Sequence, residues 1–222
     1  MTGIVRAWVD GWVVSRGAAP PAVEPWGFTV DVGLPDHVTR HVLAATGDAV
    51  EESAVREVAD TVTGTGVWLK VFAHPGVVGP WLGRGWHVDP EPGFLMTAPL
   101  TATGPAASGA ADGGRALPDG YRLRTWSRGG AGHALVLAAD GSWAAHGHVA
   151  PTGATAVFDR IETAPAHRRR GLGRTVMRAL TGLVVAGGAG TGVLAGTPEG
   201  RALYESLGWR VDAPLTSARF TG

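Results

Sequence analysis

Residues 155–185 read TAVFDRIETAPAHRRRGLGRTVMRALTGLVV, and the period of the hydrophobic pattern changes within this stretch. Residues 155–163 are predicted to form a strand. From Leu172 onward the apolar residues recur at the spacing of one helix face. The segment 165–174 therefore joins the end of a strand to the start of a helix.

This junction is predicted to bind an anion. The first N–H groups of a helix have no partner within the helix, and the helix dipole adds partial positive charge there. Gly171 and Gly173 carry no side chains, so a phosphate can approach the backbone. Guanidinium donors suited to phosphate come from four arginines, namely Arg168, Arg169, Arg170 and Arg174. The ligand that this pattern favours is a pyrophosphate.

Other interpretations of the junction fit the sequence less well. A Walker loop needs Gly-Lys-Ser/Thr, which the segment lacks. A dinucleotide fingerprint needs a third glycine where Val176 stands. A lone run of arginines is more often a solvated basic turn, but the strand–loop–helix context and a second motif downstream favour a phosphate site.

The C-terminal part is predicted to be an α/β (α+β) sandwich, because strands, a helix, a strand, a second helix and further strands follow one another. The predicted strands are 121–126, 133–139, 143–149, 155–163, 192–196, 209–212 and 215–220. The first helix starts at Leu172. The second helix spans 198–207, with Pro198 in its first turn and Gly208 as its cap.

A stretch rich in Gly, Ala, Pro and Ser divides the chain. Residues 101–118 contain almost no large apolar side chains and are predicted to be an exposed linker. The chain is therefore predicted to have an N-terminal part, 1–100, and a C-terminal part, 119–222.

The N-terminal part contains a segment that aligns with the C-terminal part. Residues 75–89 lie on 198–212 without a gap, and five positions coincide. These are Pro75 with Pro198, Gly85 with Gly208, Trp86 with Trp209, Val88 with Val211 and Asp89 with Asp212. We interpret the N-terminal part as a degenerate partial copy, with helical segments at 6–15 and 53–62.

Three segments of the C-terminal part resemble one known family. Residues 168–173, RRRGLG, resemble the Arg/Gln-x-x-Gly-x-Gly/Ala signature of the GNAT acetyltransferases. Residues 201–209, RALYESLGW, resemble the family's A-x-x-L-Y-x-x-L-G-F ending. Residues 161–165 resemble its hydrophobic-x-hydrophobic-x-Pro strand, with Thr163 in place of the usual valine. The resemblance covers about residues 120–222.

The resemblance implies a GNAT-like fold, with a central mixed, mainly antiparallel sheet flanked by helices and a degenerate GNAT-like N-terminal half. It implies an N-acetyltransferase in which an amine attacks the thioester of acetyl-CoA directly, without a metal. Tyr204 matches the family position that protonates the departing thiolate. The implied acetyl-CoA-binding residues are Ile161, Thr163, Arg168, Arg169, Arg170, Gly171, Leu172, Gly173 and Arg174.

The general base is left open by the sequence. Asp159 and Glu162 are the carboxylate candidates, and the period of two in a strand predicts that they lie on opposite faces. The base is Glu162, Asp159 or a water molecule. His146 and His148 share a strand face, where one of them is a candidate for relaying a proton. The sequence offers no third ligand for a metal there.

The family usually places two helices between its first two strands, beside the acceptor. Here only residues 127–132 lie between them, so the N-terminal part is predicted to supply that wall. The acceptor is expected to be a small-molecule amine or a protein. The main alternative is a non-catalytic acyl-CoA-binding or scaffold protein, which would bind acetyl-CoA but release no thiol.

Composition limits the remaining classes. The sequence has no cysteine, so disulfides and thiolate nucleophiles are excluded. Its zero formal net charge and the lack of a base-reading motif argue against nucleic acid as a partner. It shows no signal peptide and no run of about 18 apolar residues. We expect a cytoplasmic monomer or homodimer that does not bind a membrane.

Overall fold

The computed structural model describes residues 2–101 and 117–222. The chain divides into two compact units. Unit 1 consists of Met1–Met96, Ala195–Arg201 and Val211–Gly222, and unit 2 consists of Thr97–Leu194 and Ala202–Arg210. The predicted linker, 101–118, lies mostly outside the described residues.

The first half of the chain begins with a helix and continues with strands and short helices. Its elements are α1 (Thr2–Arg16), β1 (Ala22–Glu24), β2 (Gly27–Leu34), β3 (His37–Thr46), α2 (Glu52–Ala59), β4 (Val67–Phe72), α3 (Pro75–Val78), β5 (Trp86–Val88) and β6 (Gly93–Pro99). The predicted helical segments 6–15 and 53–62 correspond to α1 and α2 with shifted ends.

The second half begins with a meander of strands. Its elements are β7 (Arg122–Arg128), β8 (Ala131–Leu137), β9 (Trp143–Thr152), β10 (Thr155–Thr163), α4 (Leu172–Val185), β11 (Thr191–Gly196), α5 (Pro198–Glu205) and β12 (Arg210–Phe220). The predicted order of strands and helices is confirmed, with one difference. Segments 209–212 and 215–220 form a single strand, and Pro214 does not end it because the pairing with β4 begins only at Thr216.

Unit 1 contains a mixed sheet with helices on its faces. Strands β1, β2 and β3 are antiparallel neighbours, β3 is parallel to β4, and β12 is antiparallel to both β4 and β5. Val55 and Val58 of α2 pack on one face of this sheet, against Leu69 and Val71 of β4. On α1, the Trp8 ring meets the Phe72 ring edge to face, with centroids 5.5 Å apart.

A lysine is buried in unit 1. Lys70 is only 8% exposed, and it is the only lysine of the sequence. Its Nζ donates to Ser217 Oγ at 2.6 Å and lies 4.7 Å from the centroid of the Trp68 ring. Burial, and next the charge of Arg40, hold the pKa of Lys70 well below 10.5, while Asp89 acts in the opposite direction.

Unit 2 contains a sheet that is covered on one face by α4. Strands β7 to β10 form an antiparallel meander, and β10 is parallel to β11. Val176 and Leu180 of α4 face Gly147 of β9 so closely that a Cβ there would lie 2.8 and 3.1 Å from their side chains. No helix separates β7 from β8, because Gly129 and Gly130, with φ of 59° and 82°, turn the chain directly.

One order of elements occurs twice in the chain, and the partial copy stays a prediction. A hairpin, a helix, a parallel strand, a short helix and a strand occur in β2–β3–α2–β4–α3–β5 and again in β9–β10–α4–β11–α5–β12. Pro75 begins α3 as Pro198 begins α5. Gly85 and Gly208, which coincide in the alignment, both have positive φ, 92° and 84°.

Candidate active site

The loop between β10 and α4 has the backbone of an anion site. After a 3₁₀ turn at Pro165–His167, Arg169 and Gly171 adopt left-handed conformations with φ of 62° and 81°. Gly171 is the residue before α4 and has no side chain that could cap the helix. The first turn of α4 contains no acidic residue. Alternating backbone conformations of this kind turn successive N–H groups toward one point. The start of α4 therefore presents unpaired donors to an anion.

The arginines of the loop differ in their surroundings. Arg168, Arg169 and Arg170 are exposed. Arg168 directs Nε toward the carbonyl oxygen of Thr163, 3.4 Å away. Arg174 donates from Nη2 to Ser206 Oγ at 3.0 Å. The structure thus leaves Arg169 and Arg170 exposed beside the loop and holds Arg174 against the end of α5.

The two glycines of the motif have different roles. A Cβ on Gly171 would meet no atom within 4 Å, but its φ of 81° is one that other residues rarely adopt. A Cβ on Gly173 would lie 2.8 Å from Leu203 Cδ2. Packing against Leu203 of α5 is thus a second reason for a glycine here, and the prediction that Gly173 admits a phosphate stays a prediction. Leu172 is buried at 1% exposure, so only its backbone can face a ligand.

A tyrosine that the sequence argument missed supports the loop. The Tyr121 hydroxyl and His167 Nδ1 are 2.9 Å apart, and the two rings meet edge to face. His167 immediately precedes Arg168. The hydrogen bond therefore links the residue before β7 to the turn that positions the loop.

The second half of β10 has a free backbone edge among the described residues. The parallel pairing with β11 extends only from Thr155 to Phe158, whereas β10 continues to Thr163. The side chain of Ile161 packs toward α4, where a Cβ on Gly147 would lie 2.5 Å from Ile161 Cδ1. Ile161 and Thr163 therefore offer backbone groups to an extended ligand, as an added strand would use them.

A β-bulge changes the placement of the two candidate carboxylates. Asp159 pairs with His148, but Glu162 pairs with His146, so β10 contains one extra residue between these pairs. Arg160, at the bulge, has a φ of 54°. Directly opposed residues share a face, so Asp159 and Glu162 lie on the same face of the sheet. The prediction that they lie on opposite faces is wrong, because the period of two is broken at the bulge.

Three histidines and two tryptophans share this face. His133 of β8 pairs with His148, and their ring centroids are 4.4 Å apart. The Trp126 ring stacks on His133 at 5.0 Å, and the Trp143 ring lies 5.3 Å from His146. The described residues contain no group of three or more His, Asp or Glu arranged to hold a metal ion.

Two of these histidines, His146 and His148, favour the neutral form. Burial, and next the charge of His133, lower the pKa of His148 to about 4. Burial also lowers the pKa of His146 below 6.5, although the charge of Glu162 opposes this shift. The distance from His146 Nε2 to Glu162 Oε2 is 3.8 Å.

Tyr204 is buried on α5. It is 7% exposed, and its ring lies 6.2 Å from the ring of Trp209, which meets Phe158 of β10 edge to face at 5.2 Å. Burial raises the pKa of Tyr204 to about 12, and the charge of Asp159 adds to this shift. Tyr204 therefore packs into the core and keeps its proton at neutral pH, and its role as a proton donor stays a prediction.

The zero net charge of the chain conceals two oppositely charged units. Unit 1 contains eight Lys and Arg residues and thirteen Asp and Glu residues, which gives a net charge of −5. Unit 2 contains eleven Lys and Arg residues and six Asp and Glu residues, which gives a net charge of +5. The candidate site lies in the positive unit, which suits an anionic ligand. None of the described helices is long and apolar enough to cross a membrane.

Comparisons with known proteins identify one family. Residues 108–209 match the model of the Acetyltransferase (GNAT) family. No curated protein matches the chain in sequence. A GCN5-related N-acetyltransferase from Kribbella flavida is similar in structure, with a TM-score of 0.66 at 16% identity over 100% of this chain and 95% of that one.

Two further solved structures are similar over much of the chain. A protein assigned to the GNAT acetyltransferases from Novosphingobium aromaticivorans has a TM-score of 0.55 at 18% identity, over 99% of this chain and 97% of that one. A tandem GNAT protein from the clavulanic acid biosynthesis pathway has a TM-score of 0.54 at 18% identity, over 77% of this chain and 68% of that one. At these identities the similarity shows the fold.

Proposed function

We propose that this chain, whose residues 108–209 belong to the GNAT acetyltransferase family, transfers the acetyl group of acetyl-CoA to an amine. The observation that carries the proposal is the loop before α4. Its left-handed residues, the uncapped helix start and the exposed Arg169 and Arg170 combine the donors that a pyrophosphate requires.

The residues of unit 2 fit the rest of acetyl-CoA. The pairing of β10 with β11 ends at Phe158, and residues 160–163 of β10 lie directly before the loop, so an extended chain attached to the pyrophosphate can pair with this edge. Acetyl-CoA supplies the acetyl group as a thioester, which an amine can attack without a covalent enzyme intermediate. The main contribution of the protein is then positioning.

The reaction needs an acid for the departing thiolate and a base for the amine. Tyr204, with its pKa raised to about 12, keeps its proton throughout the neutral pH range and can donate it to the thiolate as that group departs. Asp159 and Glu162, on one face of the sheet, are the carboxylates available to bind and deprotonate the amine. The base candidates belong to β10 itself, and the acid candidate belongs to α5.

The proposal is tested by two measurements on the full chain. Isothermal titration calorimetry measures acetyl-CoA binding, and a thiol reagent measures CoA release with a panel of amines. The chain has no cysteine, so the thiol signal has no protein background. Binding together with amine-dependent thiol release supports an acetyltransferase. Binding without release from any amine would instead support a non-catalytic acyl-CoA-binding protein.

A further inference from the structure

His146 and Glu162 form a pair that is close but not hydrogen-bonded. Their Nε2 and Oε2 atoms are 3.8 Å apart, beyond the length of about 3.2 Å that a hydrogen bond allows. The side chains of His146 and Glu162 are 29% and 63% exposed, so a molecule from solvent can reach both. They lie on the sheet face opposite α4, because Gly147 between His146 and His148 faces α4.

The spacing of the two atoms suits one protonated amine. A nitrogen placed about 2.9 Å from both atoms would see them at an angle of roughly 80°. Two N–H bonds of a tetrahedral ammonium, about 109° apart, reach both atoms with bends of only about 15° each. A single ammonium can thus donate to Glu162 and to His146 at the same time.

Glu162 and His146 differ in charge, so they can act differently on a bound ammonium. Glu162 supplies a carboxylate that attracts the cation. Burial lowers the pKa of His146, and Arg160 lowers it further, so the imidazole is neutral near pH 7 and Nε2 can accept a proton. The other titratable groups on this face are His148 on the same strand, Asp159 on β10, His133 on β8, and Arg122, Arg124 and Arg128 on β7, which pair with Leu137, Leu135 and Ala131.

An apolar wall lies next to this pair. Trp143 is 42% exposed, and its ring centroid is 5.3 Å from that of His146. An exposed indole attracts an ammonium or covers an alkyl chain attached to one. The neighbouring indole therefore favours an amine that carries an apolar substituent over one that carries a carboxylate.

We propose, on the basis of the function proposed above, that Glu162 binds the ammonium of a primary alkylamine acceptor and that His146 takes its proton, with Trp143 covering the alkyl chain. The neutral nitrogen then forms a bond to the acetyl carbon while the carbon–sulfur bond breaks and its electron pair leaves with sulfur. Tyr204 gives its proton to that sulfur. The second proton lost by the amine and the proton on His146 pass to solvent, from which Tyr204 is reprotonated.

The test compares kcat and KM from pH 5.5 to 9 in the wild type, His146→Gln and Glu162→Gln. The acceptors are n-hexylamine, ethanolamine and 6-aminohexanoate, which differ in their apolar and charged ends. We expect n-hexylamine to be the best acceptor. His146→Gln is expected to lower kcat by about 10²-fold or more and to remove the acid limb of the pH profile. Glu162→Gln is expected to raise the amine KM by about tenfold or more.

Controls separate this proposal from the acetyltransferase itself. His87→Gln, at an exposed histidine of unit 1, should leave the pH profile unchanged. Acetyl-CoA affinity, measured by calorimetry, should be the same in all variants, which shows that they fold. If thiol release persists and His146→Gln retains the wild-type kcat and acid limb, the role of His146 is overturned while the acetyltransferase stands. If the wild type transfers to no amine, both proposals fail.

Discussion

The phenol of Tyr204 is buried close enough to the carboxylate of Asp159 for that charge to contribute to a pKa of about 12. Asp159 belongs to β10, immediately after the last residue that pairs with β11, and Tyr204 belongs to α5. The two residues therefore place the phenol beside the point where the pairing of β10 with β11 ends. This relationship connects the candidate acid with the strand that is proposed to bind acetyl-CoA.

Tyr204→Phe is expected to lower kcat by roughly 10²- to 10⁴-fold while acetyl-CoA binding is preserved, because only the proton donor is removed. Since the pKa of Tyr204 is about 12, no alkaline loss of kcat from this residue is expected below pH 10. Initial rates at saturating acceptor, with calorimetry on the same variant, measure both effects. An unchanged kcat would exclude Tyr204 from the mechanism.

Gly171→Ala is expected to weaken acetyl-CoA binding and to cost about 1 kcal/mol of stability, because a residue with a Cβ rarely adopts its φ of 81°. Gly129→Ala is the matched control, since Gly129 also has positive φ, 59°, and open space around it. The control should lose similar stability without losing affinity. Calorimetry and thermal unfolding compare the two variants. Equal affinities would place the pyrophosphate away from the loop.

The chain is expected to bind one acetyl-CoA, although the element order occurs twice. In unit 1 the pairing of β3 with β4 resumes at Thr46, the last residue of β3, so this strand end is not free. Helix α2 begins after Glu51 and has Glu52 in its first turn, where like charge repels a pyrophosphate. A calorimetric stoichiometry near two per chain would contradict this expectation.

Lys70→Met is expected to stabilise the protein most at low pH. Because the folded-state pKa of Lys70 lies below 10.5, the unfolded chain binds more protons between these values, and this residue makes wild-type stability rise with pH in that window. Replacing a buried charge by an apolar residue of similar length contributes about 1 to 4 kcal/mol.

Urea unfolding of the wild type and Lys70→Met at several values from pH 6 to 10 tests this prediction. The difference in the free energy of unfolding should shrink as the pH rises. Arg84→Met, at an exposed position, should show no such trend. A difference that is independent of pH would mean that Lys70 does not change its charge on folding.

Much of the fold was predictable because its signals are local. Leu172 begins α4, Pro198 begins α5 and Gly208 has the positive φ of a helix cap, as their residue types and spacing indicated. The loop before α4 was predictable for the same reason, since its chemistry depends on consecutive residues.

The rest of the candidate site depends on register and packing between elements. The bulge at Arg160 is an extra residue in a pairing, and nothing in the sequence of β10 alone marks it. The meeting of His133 with His148 required the register of β8 on β9. The packing of Leu203 against Gly173 was not predictable, because Leu203 is thirty residues away in the sequence and comes close only when α5 packs against α4.

The opposite charges of the two units also bear on how the protein behaves in a concentrated solution. With a net charge of zero, one molecule does not repel another at long range. The unit with a charge of −5 in one molecule attracts the unit with +5 in a second, and this attraction is strongest where salt does not screen it. We therefore expect the chain to associate most readily at low ionic strength near neutral pH, and added salt to weaken this association.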